Sequence, residues 1–413
     1  MEEVRIEKLV HGGQGIGVLS DGRKVFVWNA LPGELVSVQI TKKRRDYAEG
    51  IAQKVLEPST ERIEPLDEAY LSTSPWQIMG FDAENKHKKA ILAEAFAREK
   101  VELPDFELES AGEPLHYRNK MEYSFWGDND GLHLALFHRA SHGKRIITGS
   151  SIARPEIDKA AGKIIAVLNK NGIRGSLLKT LILRTNTSGE VVAALFVKHE
   201  TFPKIQELGG ICKGLVVYLS NPKSPASVIT RGLHSFGDTM LTDKVGGVEV
   251  RYGVNSFFQV NLPIFEVALA KIAKHATGSD NIVDMYSGVG TIGLAVGAQT
   301  LVEVDDYNID MAKQNAAGKA EAVQASTENA TDYISSDAVV IFDPPRAGLH
   351  TRVIDRILEA KPKKIIYLSC NPSTQARDVA SLDGSYTITD FAGYNFFPRT
   401  PHIESLVILE SND

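Results

Sequence analysis

The sequence predicts an α/β protein in three parts: a small amino-terminal β-barrel, a mixed α/β middle domain, and a carboxyl-terminal domain built on a parallel sheet. Three observations carry this. Short alternating runs broken by glycine turns fill the first 57 residues. Strand-like segments around one helix follow as far as Gly237. Beyond Asn255, apolar strands alternate with helical periodicities, the pattern of βαβ units. The expected domains are 1–57, 58–237 and 238–413. A chain of 413 residues, 43% hydrophobic and 24% charged, is long enough for two or three cores of a soluble globular protein.

The barrel is read from alternation at 4–7, 24–27 and 35–40, with turns at Gly12-Gly13, Asp21-Gly22 and Pro32-Gly33. Glu57-Pro58 and Glu64-Pro65 punctuate the link that follows. Over 83–101, helical spacing gathers Ile91, Leu92, Ala95 and Phe96 on one side. In the middle domain, strands are expected at 121–126, 132–137, 181–184 and 191–197, with a helix at 157–168. In the last domain, helices are expected at 263–275 and from Ile292. Its strands are expected at 282–286, 301–304, 338–342 and 365–370, and two more between Tyr386 and Glu410.

The net charge of −6 argues mildly against a polyanionic partner, because phosphate binding relies on Lys and Arg. Four basic clusters precede Ser150 and argue the other way: Lys42 to Arg45, Lys86 to Lys89, Arg118 with Lys120, and His138 to Arg145. Each alone is commonly a solvated face; together they point to nucleic acid. Tyr123, Phe125, Trp126 and Phe137 lie beside them and are able to stack bases, although core packing is the commoner job of such residues. No run of eighteen apolar residues occurs, and Met1-Glu2-Glu3 does not open a leader, so the expected location is the cytoplasm, with no membrane partner. Two cysteines, Cys212 and Cys370, make neither a disulfide framework nor a four-thiolate metal site, so no metal is expected.

The chemistry centres on Ile-Ile-Tyr-Leu-Ser-Cys-Asn-Pro at 365–372. Proline cannot extend a sheet ladder and its predecessor avoids the helical region, so Cys370 is left at the carboxyl end of a strand, where open parallel sheets bind ligands. That makes it the candidate nucleophile. The bland alternative is a small buried hydrophobe. Asp284-Met-Tyr-Ser-Gly-Val-Gly-Thr291 lies between a strand and a helix, and Glu303 stands nineteen positions after Asp284, where a carboxylate can hold ribose hydroxyls. The missing third glycine favours S-adenosylmethionine over NAD. Asp343-Pro-Pro-Arg346 holds an acid at the same sheet edge. His402-Ile403-Glu404 puts another at the mouth of an apolar run, and Phe257-Phe-Gln259 sets an amide beside aromatics.

In that order, Gln259, the 284–290 loop, Glu303, Asp343 to Arg346, Ser369 to Pro372 and His402 to Glu404 resemble the RNA (uracil-C5)-methyltransferase family. The likeness runs the length of the chain. It implies a Rossmann-like S-adenosylmethionine-dependent methyltransferase domain, and the barrel is similar to a TRAM (OB-like) domain; barrel and middle domain would bind RNA. The implied acceptor is a uridine in RNA, ribosomal 23S first and transfer RNA second, methylated by a chain acting as a monomer. Uracil C5 is a poor nucleophile until something adds at C6, and Cys370 would add there, with its thiol pKa lowered or its proton taken during attack. By resemblance, Glu404 is the general base that removes the C5 proton, and Gln259, Tyr286, Glu303 and Asp343 hold the cofactor. Many relatives carry four iron–sulfur cysteines; here Leu71 to Gln77 and Ser150-Ser151 stand instead, so no cluster is expected. Thr291 replaces a common Asn and is set aside, and Cys212 is assigned to the core. Two rivals keep parts of this pattern. An amino-group methyltransferase would share the cofactor loop and the Pro-Pro motif, and a non-catalytic RNA-binding protein would share the fold.

Overall fold

The protein's structure, a computed structural model, describes residues 1–412 except Ala140, His142 and Pro225. His142 of the fourth basic cluster and Asp413 of the last expected domain therefore lie outside the described residues. The chain forms two compact units, one of residues 1–87, 113–239 and 397–402, the other of 88–112, 240–396 and 403–413.

In the first unit, the strands Glu2–Leu9, Gly15–Val18, Lys24–Trp28, Tyr47–Glu57 and Leu35–Lys43 close into a barrel in that spatial order. Alternation sends Val4, Ile6, Val25, Val27, Val36 and Val38 inward, where they form its core. A seven-stranded sheet follows, with the spatial order Arg231–Gly237, Gly214–Leu219, Val191–Val197, Leu178–Thr185, Lys120–Asp128, Gly131–Phe137 and Lys144–Ile146. The helix Pro155–Lys170 packs Ile157, Ala161, Ile164 and Leu168, at three- and four-residue spacing, into the core beneath one face. Tyr123 and Phe125 point into that core, whereas Trp126 and Phe137 are exposed on strands of the same sheet. Cys212 is partly buried against the same core, and burial pushes its thiol up to about 11.

Where iron–sulfur cysteines would stand, the first unit has a web of hydroxyl and amide groups. Gln77 donates to Ser74 Oγ at 2.6 Å, to Ser151 Oγ at 3.0 Å and to Asp67 Oδ2 at 3.1 Å. Asp67 also accepts from the Ser151 N–H, and Asp158 accepts from the Ser150 N–H and from Tyr123. These donors are committed to neighbouring hydroxyls and to the Asp67 and Asp158 carboxyl groups, a set that does not fit a cluster that needs thiolates.

The second unit holds an eight-stranded sheet. Five parallel strands lie in the order Glu321–Gln324, Thr300–Glu303, Ile282–Asp284, Val339–Phe342 and Lys364–Ser369. Glu404–Ser411 then joins antiparallel, followed by Tyr386–Tyr394 and the short Leu108–Glu109. Val339 to Phe342 and Ile365 to Leu368 are buried throughout, the continuous apolar signature of strands covered on both faces. The chain moves outward from Ile282–Asp284 in one direction and then returns to place Val339–Phe342 on its other side. That reversal opens a crevice at the carboxyl ends of the strands.

Several segments depart from the sequence expectation. The strand expected to reach Tyr286 stops at Asp284, whose carboxylate accepts from the Gly293 N–H at 2.9 Å and turns the chain into a loop. The hairpin Met240–Val245 with Val248–Gly253, turning through Gly246 and Gly247 at φ 56 and 84, was not expected, nor was the strand Glu321–Gln324. The latter is half polar and only partly covered, so alternation gave little sign of it. No helix among the described residues is long and apolar enough to cross a membrane.

Candidate active site

Cys370 follows the last residue of the strand Lys364–Ser369, and Asn371 turns the chain at once into the helix Pro372–Ala380. Asn371 Oδ1 accepts from the Ser373 N–H at 3.2 Å as a helix cap, and Pro372 occupies the first helical turn, where its missing N–H costs nothing. The same Asn371 donates through Nδ2 to the Arg346 carbonyl at 2.8 Å, and Thr374 Oγ1 donates to that carbonyl at 3.2 Å. One dipeptide therefore ends the strand, starts the helix and clamps the Asp343-Pro-Pro-Arg346 turn beside the thiol.

The antiparallel neighbour brings Glu404. Ser369 pairs with Ser405, so Cys370 and Glu404 are the next residues outward on the two strands. A buried amide secures this corner: Gln375 Nε2 donates to the carbonyls of Tyr367 at 2.8 Å and Ser405 at 3.1 Å, and its Oε1 accepts from Ser405 Oγ.

The electrostatics follow from enclosure. Burial first, then Glu404 and Asp343, push the half-buried Cys370 thiol up to about 11, while the charge and hydrogen bond of Arg346 pull it down. Burial and Asp343 hold Glu404, which is 5% exposed, well above the usual carboxylate range, and Arg346 again opposes. Burial and Asp284 push Asp343 up to about 7. Burial first, and then these acids, work against a lowered thiol pKa, one of the two expected routes; the other is loss of the proton during attack.

At the neighbouring strand end, Asp284 is fully buried and pushed up to about 7 by burial, against the opposing bonds from the Gly293 and Tyr286 N–H groups. It shapes the loop. Gly288 and Gly290 adopt φ 55 and 90, which side chains resist. Glu303 accepts from the Gly288 N–H at 2.9 Å through Oε2 and from the N–H groups of Val304 and Asp305, both at 2.8 Å, through Oε1. A carboxylate has about four lone-pair sites, so Oε2 retains capacity for a hydroxyl.

Gln259, Tyr286 and Asp343 border one small cavity of about 20 Å³, together with Gly288 and Thr291, the residue set aside on sequence. Tyr286 and Glu303 border a larger cleft of about 760 Å³ that continues past Ser326, Thr327 and Pro345. All six expected site residues, Cys370 and Glu404 included, lie in the second unit. The cleft is within the range of roughly 300–1,000 Å³ usual for small-molecule sites. An acid at the end of the second strand, an open glycine turn and a partly apolar wall fit S-adenosylmethionine. Sequence reasoning missed three residues. Ser326 and Thr327 follow the strand Glu321–Gln324 that it overlooked, and Thr327 Oγ1 donates to the Met285 carbonyl at 2.8 Å. Arg346 was quoted only as part of a motif, although its charge is the one that opposes the acids at Cys370 and Glu404.

Comparison with known proteins agrees with this geometry. The family model for tRNA (uracil-5-)-methyltransferase matches residues 80–335 and 329–412, and that for the TRAM domain matches residues 1–52. An uncharacterized RNA methyltransferase of Enterococcus faecalis is 30% identical, with 98% of this chain and 96% of that protein covered. Another, from Lactobacillus johnsonii, is 29% identical with 100% and 98% covered. Among solved structures, Pyrococcus abyssi tRNA (uracil-54, C5)-methyltransferase in complex with S-adenosyl-L-homocysteine shares the fold, with a TM-score of 0.79 at 23% identity over 98% of this chain and 99% of that one. The chain belongs to the tRNA (uracil-5-)-methyltransferase family, as an S-adenosylmethionine-dependent RNA methyltransferase with an amino-terminal TRAM domain.

Proposed function

We propose that the protein methylates C5 of a uridine in ribosomal RNA, 23S in particular, through a transient bond from Cys370 Sγ to C6. The observation that supports this best is the pairing of a thiol and a buried acid on adjoining strand ends, within the field of Asp343, which borders the cavity it shares with Gln259 and Tyr286. Bound S-adenosylmethionine supplies an electrophilic methyl group on a sulfonium. Cys370 loses its proton to solvent as Sγ bonds to C6, and the C5=C6 electron pair makes C5 nucleophilic. Once C5 carries the methyl group, Glu404 removes the C5 proton, the C5=C6 bond re-forms and Cys370 leaves as a thiolate. Once it has lost its own proton to solvent, a carboxylate whose pKa is raised is the stronger base, which suits Glu404 to a carbon acid. Gln259, Tyr286, Glu303 and Asp343 hold the cofactor, with Glu303 on the ribose. The target base reaches this corner unstacked.

In this reading the barrel, 1–57, and the middle domain, 58–237, grip RNA, and 238–413 performs the chemistry in the cytoplasm. The six site residues fall within a single chain, so a monomer suffices. The TRAM barrel and its basic Lys42 to Arg45 loop favour ribosomal RNA; the name of the matching family favours a transfer RNA uridine. The test is covalent trapping. Transcripts of 23S ribosomal RNA and of transfer RNA containing 5-fluorouridine are incubated with the protein and S-adenosylmethionine, then run on a denaturing gel. A shifted band with the ribosomal transcript that Cys370→Ala abolishes is expected. Trapping only on the transfer RNA would move the acceptor, and no trapping on either would remove the covalent mechanism.

A further inference from the structure

The face of the seven-stranded sheet turned away from the helix Pro155–Lys170 carries an unusual set of side chains. On the strand Lys120–Asp128, alternation sends Tyr123 and Phe125 into the core and leaves Trp126 outward, 44% exposed. Its cross-strand partner is His133. Four residues further along that partner strand, on the same face, Phe137 is 52% exposed and pairs with Lys144, whose ammonium lies 4.8 Å from the ring centre. Lys198 is near enough for its charge, after burial, to help depress the pKa of Lys144. Two flat rings are thus carried by one sheet face: Phe137 lies beside the Lys144 ammonium, which also donates to the Phe125 carbonyl at 3.0 Å, and Trp126 lies beside His133, whose ring nitrogen bonds Asp128 at 3.2 Å.

We propose that this face binds a single-stranded stretch of the substrate RNA, with bases stacked on Trp126 and Phe137 and phosphates met by Lys144 and Lys198. Base stacking on exposed aromatics combined with a basic backbone track is how single strands are gripped without reading sequence. The four-residue interval spans about 13 Å at the strand rise, the length of about four stacked nucleotides. The lysines beside Phe137 are complementary to a polyanion, and the exposed ring faces suit its bases. The inference rests on the reading that this methyltransferase grips RNA through its middle domain as well as its active site, and it adds the residues that do so.

The test uses the full chain and a 12-nucleotide single-stranded RNA carrying 4-thiouridine. Ultraviolet cross-linking followed by tryptic mass mapping should mark residues 121–139, a single tryptic peptide that holds both rings. Trp126→Leu and Phe137→Leu keep apolar bulk without a ring face, and a melting curve verifies that each variant folds. Each should weaken binding of this RNA by roughly tenfold, and Lys198→Ala should flatten the salt dependence by about one phosphate contact. On an unmethylated RNA transcript that the wild type methylates, the ring variants should raise KM and leave kcat unchanged. Cross-links confined to other peptides, together with wild-type affinity in the folded double variant, would overturn the proposal. So would a wild-type dimer that the double variant converts to monomer, which would assign the face to a second copy. Absence of methyl transfer by the wild type would count against the catalytic reading alone, since cross-linking and affinity are read without it.

Discussion

Cys370 directly follows Ser369 and Glu404 directly precedes Ser405, its antiparallel partner, so the two sit at the end of one strand and the start of its neighbour. A thiol and a buried acid separated by 34 positions in the chain are thereby brought to one corner, where Glu404, after burial, raises the proton affinity of the thiol.

If Glu404 removes the C5 proton, Glu404→Gln should still form the Sγ–C6 bond and accept the methyl group, then stall. Turnover should fall by about 10²- to 10⁴-fold, and a covalent protein–RNA species with ordinary uridine should accumulate on a denaturing gel. Loss of both turnover and adduct would place Glu404 earlier in the reaction.

The thiol offers a readout independent of RNA. With its pKa pushed up to about 11, Cys370 should be alkylated slowly by iodoacetamide at pH 8, and the rate should keep rising past pH 10. Removing a neighbouring negative charge by Asp343→Asn should move that profile to lower pH. Mass mapping of residue 370 against pH provides the check, and an unchanged profile would mean that Asp343 exerts no field there.

Burial raises both Asp284 and Asp343 to about 7, so between the unfolded carboxylate value of about 3.9 and pH 7 the folded state binds more protons. Stability from these groups is therefore complete at low pH and is lost as pH rises through 7. Asp343→Asn should lose less thermal stability than the wild type between pH 5 and pH 8, measured by melting curves in matched salt.

Glu303 accepts three backbone N–H bonds, including the one from Gly288 that fixes the glycine turn. Glu303→Gln turns an amide NH₂ toward those donors and weakens the ribose contact. S-adenosylhomocysteine affinity, measured by calorimetry, should fall by roughly 10- to 100-fold. Little change would detach Glu303 from the cofactor.

Gly293 tests the packing beneath the loop. A methyl group there would sit 2.3 Å from Leu301 Cδ2 and 3.0 Å from the Asp284 side chain. Gly293→Ala should cost about 1–3 kcal/mol in denaturant unfolding and weaken cofactor binding as Asp284 loses its hold on the turn.

Much of this was legible in the chain. Residues that close apolar strands, such as Glu303, Asp343 and Cys370, announced themselves because strand ends are marked locally by a run of β-formers and a glycine or proline. The barrel's turns at Gly12, Gly22 and Gly33, all with positive φ, were equally local. Ser326 and Thr327 were not legible, because the strand before them is half polar and short. What only tertiary structure decided was charge and neighbourhood. No local pattern says that Ser369 pairs with Ser405, and so none places Glu404 beside Cys370 or sets the carbonyl of Arg346 on Asn371. Proton affinity likewise depends on how completely water is excluded and on which charges face the group, and both arise from pairings between distant segments. The sequence by itself supplied the candidate residues; folding determined the burial and the charges that surround the thiol among them.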